Sequence, residues 1–167
     1  MSRQAELVRD FALDLASFGE EVEAEGTRVL RASVQVAAEA LVVGNRYGPG
    51  APVDTGFLRA SFRVGLGRPK RGPAKRRKQA KGRVPGSGAK YAVPDLTADL
   101  ARATLSRPIY ITTQAAYAEP LEMLSGKRRF GPFAGQSTRF IRPVELRWRR
   151  IVEDTVRRLR LGRGVAR

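Results

Sequence analysis

The sequence predicts an α+β fold, on three observations. Apolar residues recur at helical spacing at both ends of the chain, short β-rich runs lie between them, and strands and helices do not alternate in the order that builds a parallel sheet. With 167 residues the chain fits one domain and has enough length to bury a core.

The first helix rests on Leu7, Phe11, Leu15, Phe18, Val22, Leu30, Val34, Ala38 and Leu41, spaced mostly by three or four with polar residues between. This predicts a helix over residues 3–43, roughly 60 Å long at 1.5 Å per residue, with Gly26 as a point where it kinks or divides. Gly44, Asn45, Gly48, Pro49, Gly50 and Pro52 then stop it. Asp54, Thr55 and Gly56 read as a turn capped by Asp54, followed by one short helical turn and a strand through Phe62 and Val64. Further on, Asp95 caps a short helix with Leu96, Leu100 and Ala103 as its apolar positions. Ile109, Tyr110 and Ile111, with threonines beside them, read as a strand, and Ala115 to Glu122 lead away from it. Gly126, Gly131, Pro132 and Gly135 mark a loop with Lys127, Arg128 and Arg129 at its tip. After Pro143, the residues Val144, Trp148, Ile151, Val152, Val156 and Leu159 return to helical spacing until about Gly162. Trp148, Phe11 and Phe18 occupy core-type positions on their helices.

Composition removes most catalytic plans. Without cysteine or histidine there is no disulfide, no thiol nucleophile, no zinc site of the usual ligand types and no histidine base, and no cofactor is expected. The longest nearly uncharged stretches fall short of the roughly 20 apolar residues that a spanning helix needs, which predicts a soluble chain with no membrane contact. Glu6, Asp10 and Asp14 within the first apolar pattern are foreign to targeting peptides.

The net charge of +16 is unevenly placed: residues 1–64 carry −2, residues 65–90 carry +10, residues 91–141 carry +2 and residues 142–167 carry +6. Arginine outnumbers lysine 26 to 6, a bias that a GC-rich genome produces without any function, but the clustering needs a separate cause. Residues 65–90 hold six glycines, three prolines and no acidic residue, which predicts a flexible basic arm between strands. Its cations include Arg68, Lys70, Arg71, Lys75, Arg76, Arg77, Lys78, Lys81 and Arg83. Three readings of the arm stand side by side: contact with DNA, contact with an acidic neighbouring protein, or a solvated loop. The arm has no aromatic residue to stack on bases, so any nucleic-acid binding should be independent of sequence.

Three segments carry a family resemblance. They are Ala51-Pro52-Val53-Asp54-Thr55-Gly56-Phe57-Leu58-Arg59-Ala60-Ser61 after a long helix, Ile109-Tyr110-Ile111 followed by Ala116-Tyr117-Ala118 and Leu121-Glu122, and Phe140-Ile141-Arg142-Pro143 opening a final helix. In this order they resemble the tail-component family of long-tailed bacteriophages, whose members act in tail completion or as neck proteins joining head to tail. One departure is that Met123 follows Glu122 where the family usually has glycine. The resemblance implies helices packed on a small antiparallel sheet. It also implies a structural virion protein, assembled in the host bacterial cytoplasm with other neck and tail proteins into a ring around the DNA channel. A hexamer is the expected ring, with a dodecameric collar as the alternative. Tyr117 is expected to anchor a strand end, and Glu122 to pair with an arginine, Arg59 or Arg142.

Two other functions compete. Asp54-Thr55-Gly56 is also the signature of aspartic proteases, but a single copy requires a symmetric dimer and β-rich surroundings, and a long helix and a turn cluster precede it. The charge by itself suits a nonspecific DNA-binding protein of the nucleoid type, which would more often be a dimer than a ring. Glu20, Glu21, Glu23 and Glu25 point in different directions on a helix, so they are expected to be solvated or to face a basic neighbour rather than to hold a metal.

Overall fold

A computed structural model describes residues 3–53, 57–72, 94–123 and 137–164. The fold is α+β: helices α1 (Arg3–Val42), α2 (Phe57–Ala60), α3 (Thr97–Leu100), α4 (Ala118–Met123), α5 (Arg142–Leu146) and α6 (Trp148–Gly164) surround strands β1 (Phe62–Leu66) and β2 (Ile109–Thr113). The strands pair antiparallel, with Phe62 opposite Thr113, Val64 opposite Ile111 and Leu66 opposite Ile109. Side chains alternate across a strand, so these six share one face, and Arg63 and Gly65 share the other. Phe62 and Val64 are buried under α1 and its neighbours, which identifies the first face as the core face.

The core runs from the second half of α1 through this face to the start of the C-terminal helices. Ala37, Ala40 and Leu41 of α1 pack with Leu58, Phe62, Leu121, Phe140 and Ile151. Phe62 and Phe140 meet edge to face, with ring centroids 6.3 Å apart at 80°, the arrangement aromatic quadrupoles favour. A smaller cluster of Val34, Val64 and Leu100 lies alongside, and Arg31 Nε donates to the Ala103 carbonyl at 2.8 Å to fasten α1 to the segment after α3. Asp95 Oδ1 accepts from the Thr97 amide at 2.9 Å, one residue ahead of the formal cap Leu96.

The glycine cluster after α1 is a packed turn. Gly44 and Gly50 have φ of 101° and 76°, and a Cβ on either would lie within 2.7 Å of backbone across the turn. The turn folds Tyr47 inward, where its hydroxyl donates to Asp154 Oδ2 of α6 at 2.7 Å.

Five expectations need correction. Gly26 does not divide α1, which is continuous from Arg3 to Val42; a Cβ there would lie 2.8 Å from Leu105 Cδ1, so its bareness makes room for that side chain. The C-terminal helix is two helices, because Arg147 at φ −101° and ψ 5° leaves the helical region between α5 and α6. Trp148 is 40 % exposed, on the rim of a groove with Leu30, Val34, Ala37 and Leu105. Phe11 and Phe18 are 69 % and 63 % exposed, because nothing among the described residues covers the first half of α1. The strand and arm boundary also shifts: Gly65 and Leu66 belong to β1.

Phe140→Ala should cost about 3 to 5 kcal/mol in urea denaturation, the usual range for emptying a buried phenylalanine site. Trp148→Ala should cost less than half of that, since much of its ring already faces water. Equal losses would place both rings in one core.

Candidate functional site

Residues that follow β1 double back over its outer face. Gly65 is buried although it points away from the core, because a Cβ there would sit 2.2 Å from the Arg68 carbonyl oxygen and 3.1 Å from the Lys70 amide. Glycine at this position therefore permits the chain to lie flat on the strand. The Gly67 amide donates to the Pro108 carbonyl at 2.8 Å, and Thr112 Oγ1 donates to the Lys70 carbonyl at 3.3 Å. The base of the basic arm is thus built onto the hairpin, not hung from it.

This fold-back forms an open groove of about 730 Å³ lined by Arg63, Arg68, Pro69, Lys70, Arg71 and Gln114. Arg63 Nη1 is held by the carbonyls of Ala60 and Phe62 at 2.8 and 2.6 Å. Lys70 Nζ pairs with Asp99 at 2.9 Å, and Arg102 reaches the same carboxylate at 3.0 Å. Lys70 first, then Arg102, hold the Asp99 carboxyl below its ordinary range. Arg68 and Arg71 are exposed and have no carboxylate partner among the described residues. Fixed cations at the wall and free ones at the mouth make a surface for phosphate or carboxylate groups, with bidentate geometry available from three guanidiniums. Lys75, Arg76, Arg77, Lys78, Lys81 and Arg83 lie outside the described residues, as does the loop with Lys127, Arg128 and Arg129.

The residues singled out for family resemblance form a scaffold behind that groove. Asp54, Thr55 and Gly56 are outside the described residues. Pro52 is buried and Val53 half-buried, Leu58 is in the core, and Arg59 Nε donates to the Ala51 carbonyl at 2.8 Å, closing this segment on itself. Burial pushes the Arg59 pKa down. Tyr117 lies against Phe57, with ring centroids 6.3 Å apart, so the first and second segments touch.

Glu122 joins the second segment to the third, though not through an arginine side chain. Its carboxylate accepts three backbone amides, from Phe140 at 2.8 Å, Ile141 at 3.0 Å and Arg142 at 2.9 Å. The Arg142 guanidinium turns instead to Glu145 at 2.8 Å, and Pro143 occupies the first turn of α5, where no amide is needed. The expected pairing of Glu122 with Arg59 or Arg142 is therefore replaced by capping: the first amides of a helix have no partner in the helix, and a carboxylate there also meets the positive end of the helix dipole.

Sequence reasoning missed Arg63 and Gln114 as groove residues. Alternation with Phe62 and Val64 signals that Arg63 faces outward, but nothing local signals that residues 68–71 return to it. It also missed the Asp154 cluster, where Tyr47 first, then Arg46, Arg157 and Arg150, lower the aspartate pKa. Among the described residues no group of acidic side chains is placed to hold a metal ion, and no helix is long and apolar enough to cross a membrane. Comparison with protein-family models, with curated proteins and with solved structures finds no match to this chain.

Two outcomes test the scaffold. Glu122→Ala leaves three amides without their acceptor and should cost about 2 kcal/mol, with Glu122→Gln recovering part of it. Asp154 and Asp99 have folded pKa values below those of the unfolded chain, so their contribution is present above about pH 4 and is lost as pH falls through the depressed values. Asp154→Asn should therefore flatten the acid limb of the stability profile, and an unchanged limb would remove the cluster from the account.

Proposed function

We propose that this chain is a structural subunit of a bacteriophage neck or tail, one member of a ring around the DNA channel where head and tail join, built in the host cytoplasm and carried in the virion. The observation that carries the assembly reading is the bare first half of α1. A compact chain of this length has a radius of gyration of about 15 Å, hence a diameter of about 40 Å, while 40 helical residues extend about 60 Å. The overhang exposes Phe11, Leu15, Phe18 and Val22 by 55 to 69 % each. An isolated chain gains nothing from such a stripe; a subunit covered by neighbours does. The resemblance of the three packed segments to the tail-component family supplies the place of assembly, and six copies is the expected ring.

The basic groove supports the channel side of the reading. Arginines and lysines neutralise phosphates whatever the base sequence, which suits a surface past which a whole genome moves. A nonspecific DNA-binding protein outside any virion draws on this groove as well, but it leaves the apolar stripe without a purpose.

Sedimentation of the purified chain over a range of concentrations, alone and with separated heads and tails, tests the proposal. Closed oligomers and joined particles are expected; a chain that stays monomeric and never joins particles overturns it. For the groove, the log–log salt slope of DNA binding should fall by about two in the Arg68→Ala, Arg71→Ala double variant, one for each phosphate that is no longer neutralised. An unchanged slope would remove DNA contact from the groove.

A further inference from the structure

The bare stripe on α1 has a matching surface elsewhere on the same chain. Phe11, Leu15, Phe18 and Val22 fall at intervals of four, three and four, on one narrow face of the helix. Eighteen residues later, about five helical turns, the same azimuth carries Val29, Ser33, Val36 and Ala40. There Ser33 and Ala40 are fully buried and Val36 packs on the core. The stripe is thus the core face of α1 continued beyond the body that covers it.

At the other end, α6 is left partly uncovered. It begins beside the last third of α1, where Trp148 shares a groove with Leu30, Val34 and Ala37, and by Asp154 it has reached Tyr47, past the last turn of α1. An apolar groove of about 510 Å³ runs along this part of α6, lined by Val152, Glu153, Val156, Arg157, Arg160 and Leu161. Leu161 is 67 % exposed. From Val152 to Leu161 this groove is about 14 Å long, and the stripe from Phe11 to Val22 is about 16 Å long.

Charge separates the possible occupants. From Asp10 to Glu25, α1 holds six carboxylates and no lysine or arginine. Glu25 has Arg28 at 3.8 Å, while Asp10, Asp14, Glu20, Glu21 and Glu23 make no ion pair among the described residues. On α6 the balance is reversed: six arginines against two acids from Trp148 to Gly164. Glu153 is matched by Arg149 at 2.8 Å, and Asp154 by Tyr47 and Arg46 at 2.7 and 3.2 Å. Arg158 and Arg160 have no carboxylate partner among the described residues. Pairing α1 with α1 would set twelve carboxylates against each other, whereas pairing α1 with α6 matches both charge and length.

We infer that the N-terminal half of α1 of one copy docks along the α6 groove of the next, with its apolar stripe on Val152, Val156 and Leu161 and its carboxylates facing Arg157 and Arg160. Because the two surfaces differ and lie at different ends of the subunit, the contact is head-to-tail and builds a ring where the rotation between successive copies closes. The inference rests on the ring reading above and names the contact that makes the ring.

The absence of native cysteine makes the test direct. Oxidation of the full-length Phe18→Cys, Val156→Cys double variant should give a ladder of covalent oligomers, while Phe18→Cys alone should give none. Dimers from Phe18→Cys alone would overturn the inference in favour of α1 pairing with itself. In parallel, Asp14→Arg with Glu21→Arg on one chain, or Arg157→Glu with Arg160→Glu on another, should each raise the concentration for half-assembly at least about tenfold. An equimolar mixture of the two should assemble again, since each reversed face then meets its complement. No rescue on mixing, or assembly indifferent to both reversals, overturns the inference even if particles still join, and the neck reading then stands without it. A ladder and a rescue in a chain that never joins heads to tails would keep the contact and remove the neck.

Discussion

The carboxylate of Glu122 determines where the C-terminal helices of the chain begin. Three amides in succession, Phe140, Ile141 and Arg142, converge on its two oxygens, and a carboxylate is the one side chain that accepts three bonds there while also answering the helix dipole. Once those amides are held, the Phe140 ring has only one way to go, inward against Phe62. Pro143 then starts α5, and Ile151 of α6 enters the core beside α1. Glu122 sits on a short helix that itself depends on Ala118 and Leu121 being buried, so capping and core packing support each other. Neither would persist alone: a six-residue helix is far below the length that is stable in water.

Most of the element order was readable because it rests on periodicity, which is local. The 3.6 spacing gave the first helix and the helical character of the C-terminal segment, and β-branched and aromatic enrichment gave the second strand and the start of the first, whose last two residues, Gly65 and Leu66, read as part of the arm. The failures have one physical origin. Periodicity says that a face is apolar and does not say what covers it, so Phe11, Phe18 and Trp148 read as core when the two phenylalanines are largely bare and Trp148 is only partly covered. The break at Arg147 was hidden because the apolar spacing of Val144, Trp148 and Ile151 continues across it.

The candidate site was legible in composition but not in geometry. A run of cations marks a basic surface from sequence alone, yet the described groove owes as much to Gly65 as to any charge. Only a residue without a side chain lets Arg68 to Lys70 return over the strand, bring Lys70 to Asp99, and leave Arg68 and Arg71 at the mouth. Likewise, Glu122 was marked as a residue with a partner, but the partner is backbone. Backbone amides carry no sequence signal, so an acid that caps a helix twenty residues away looks the same, in sequence, as one that meets an arginine.

In the proposed ring, stability and assembly are coupled through the same helix. The second half of α1 is anchored by the core, so the first half extends from a formed helix and avoids the cost of nucleation. It gains little else by itself. Gly19 costs about 1 kcal/mol relative to alanine in a helix interior, and Asp10 with Asp14, like Glu21 with Glu25, places like charges one turn apart, which disfavours the helix by a few tenths of a kcal/mol per pair. A sequence selected only for the stability of the single chain has no reason to keep this combination. Cations supplied from outside convert each of those repulsions into an attraction and cover the stripe in the same step. The features that leave the isolated overhang marginal are therefore the ones that make it responsive to a basic neighbour, and the only cations α1 itself offers nearby, Arg9 and Arg28, stand at the two ends of the acidic stretch.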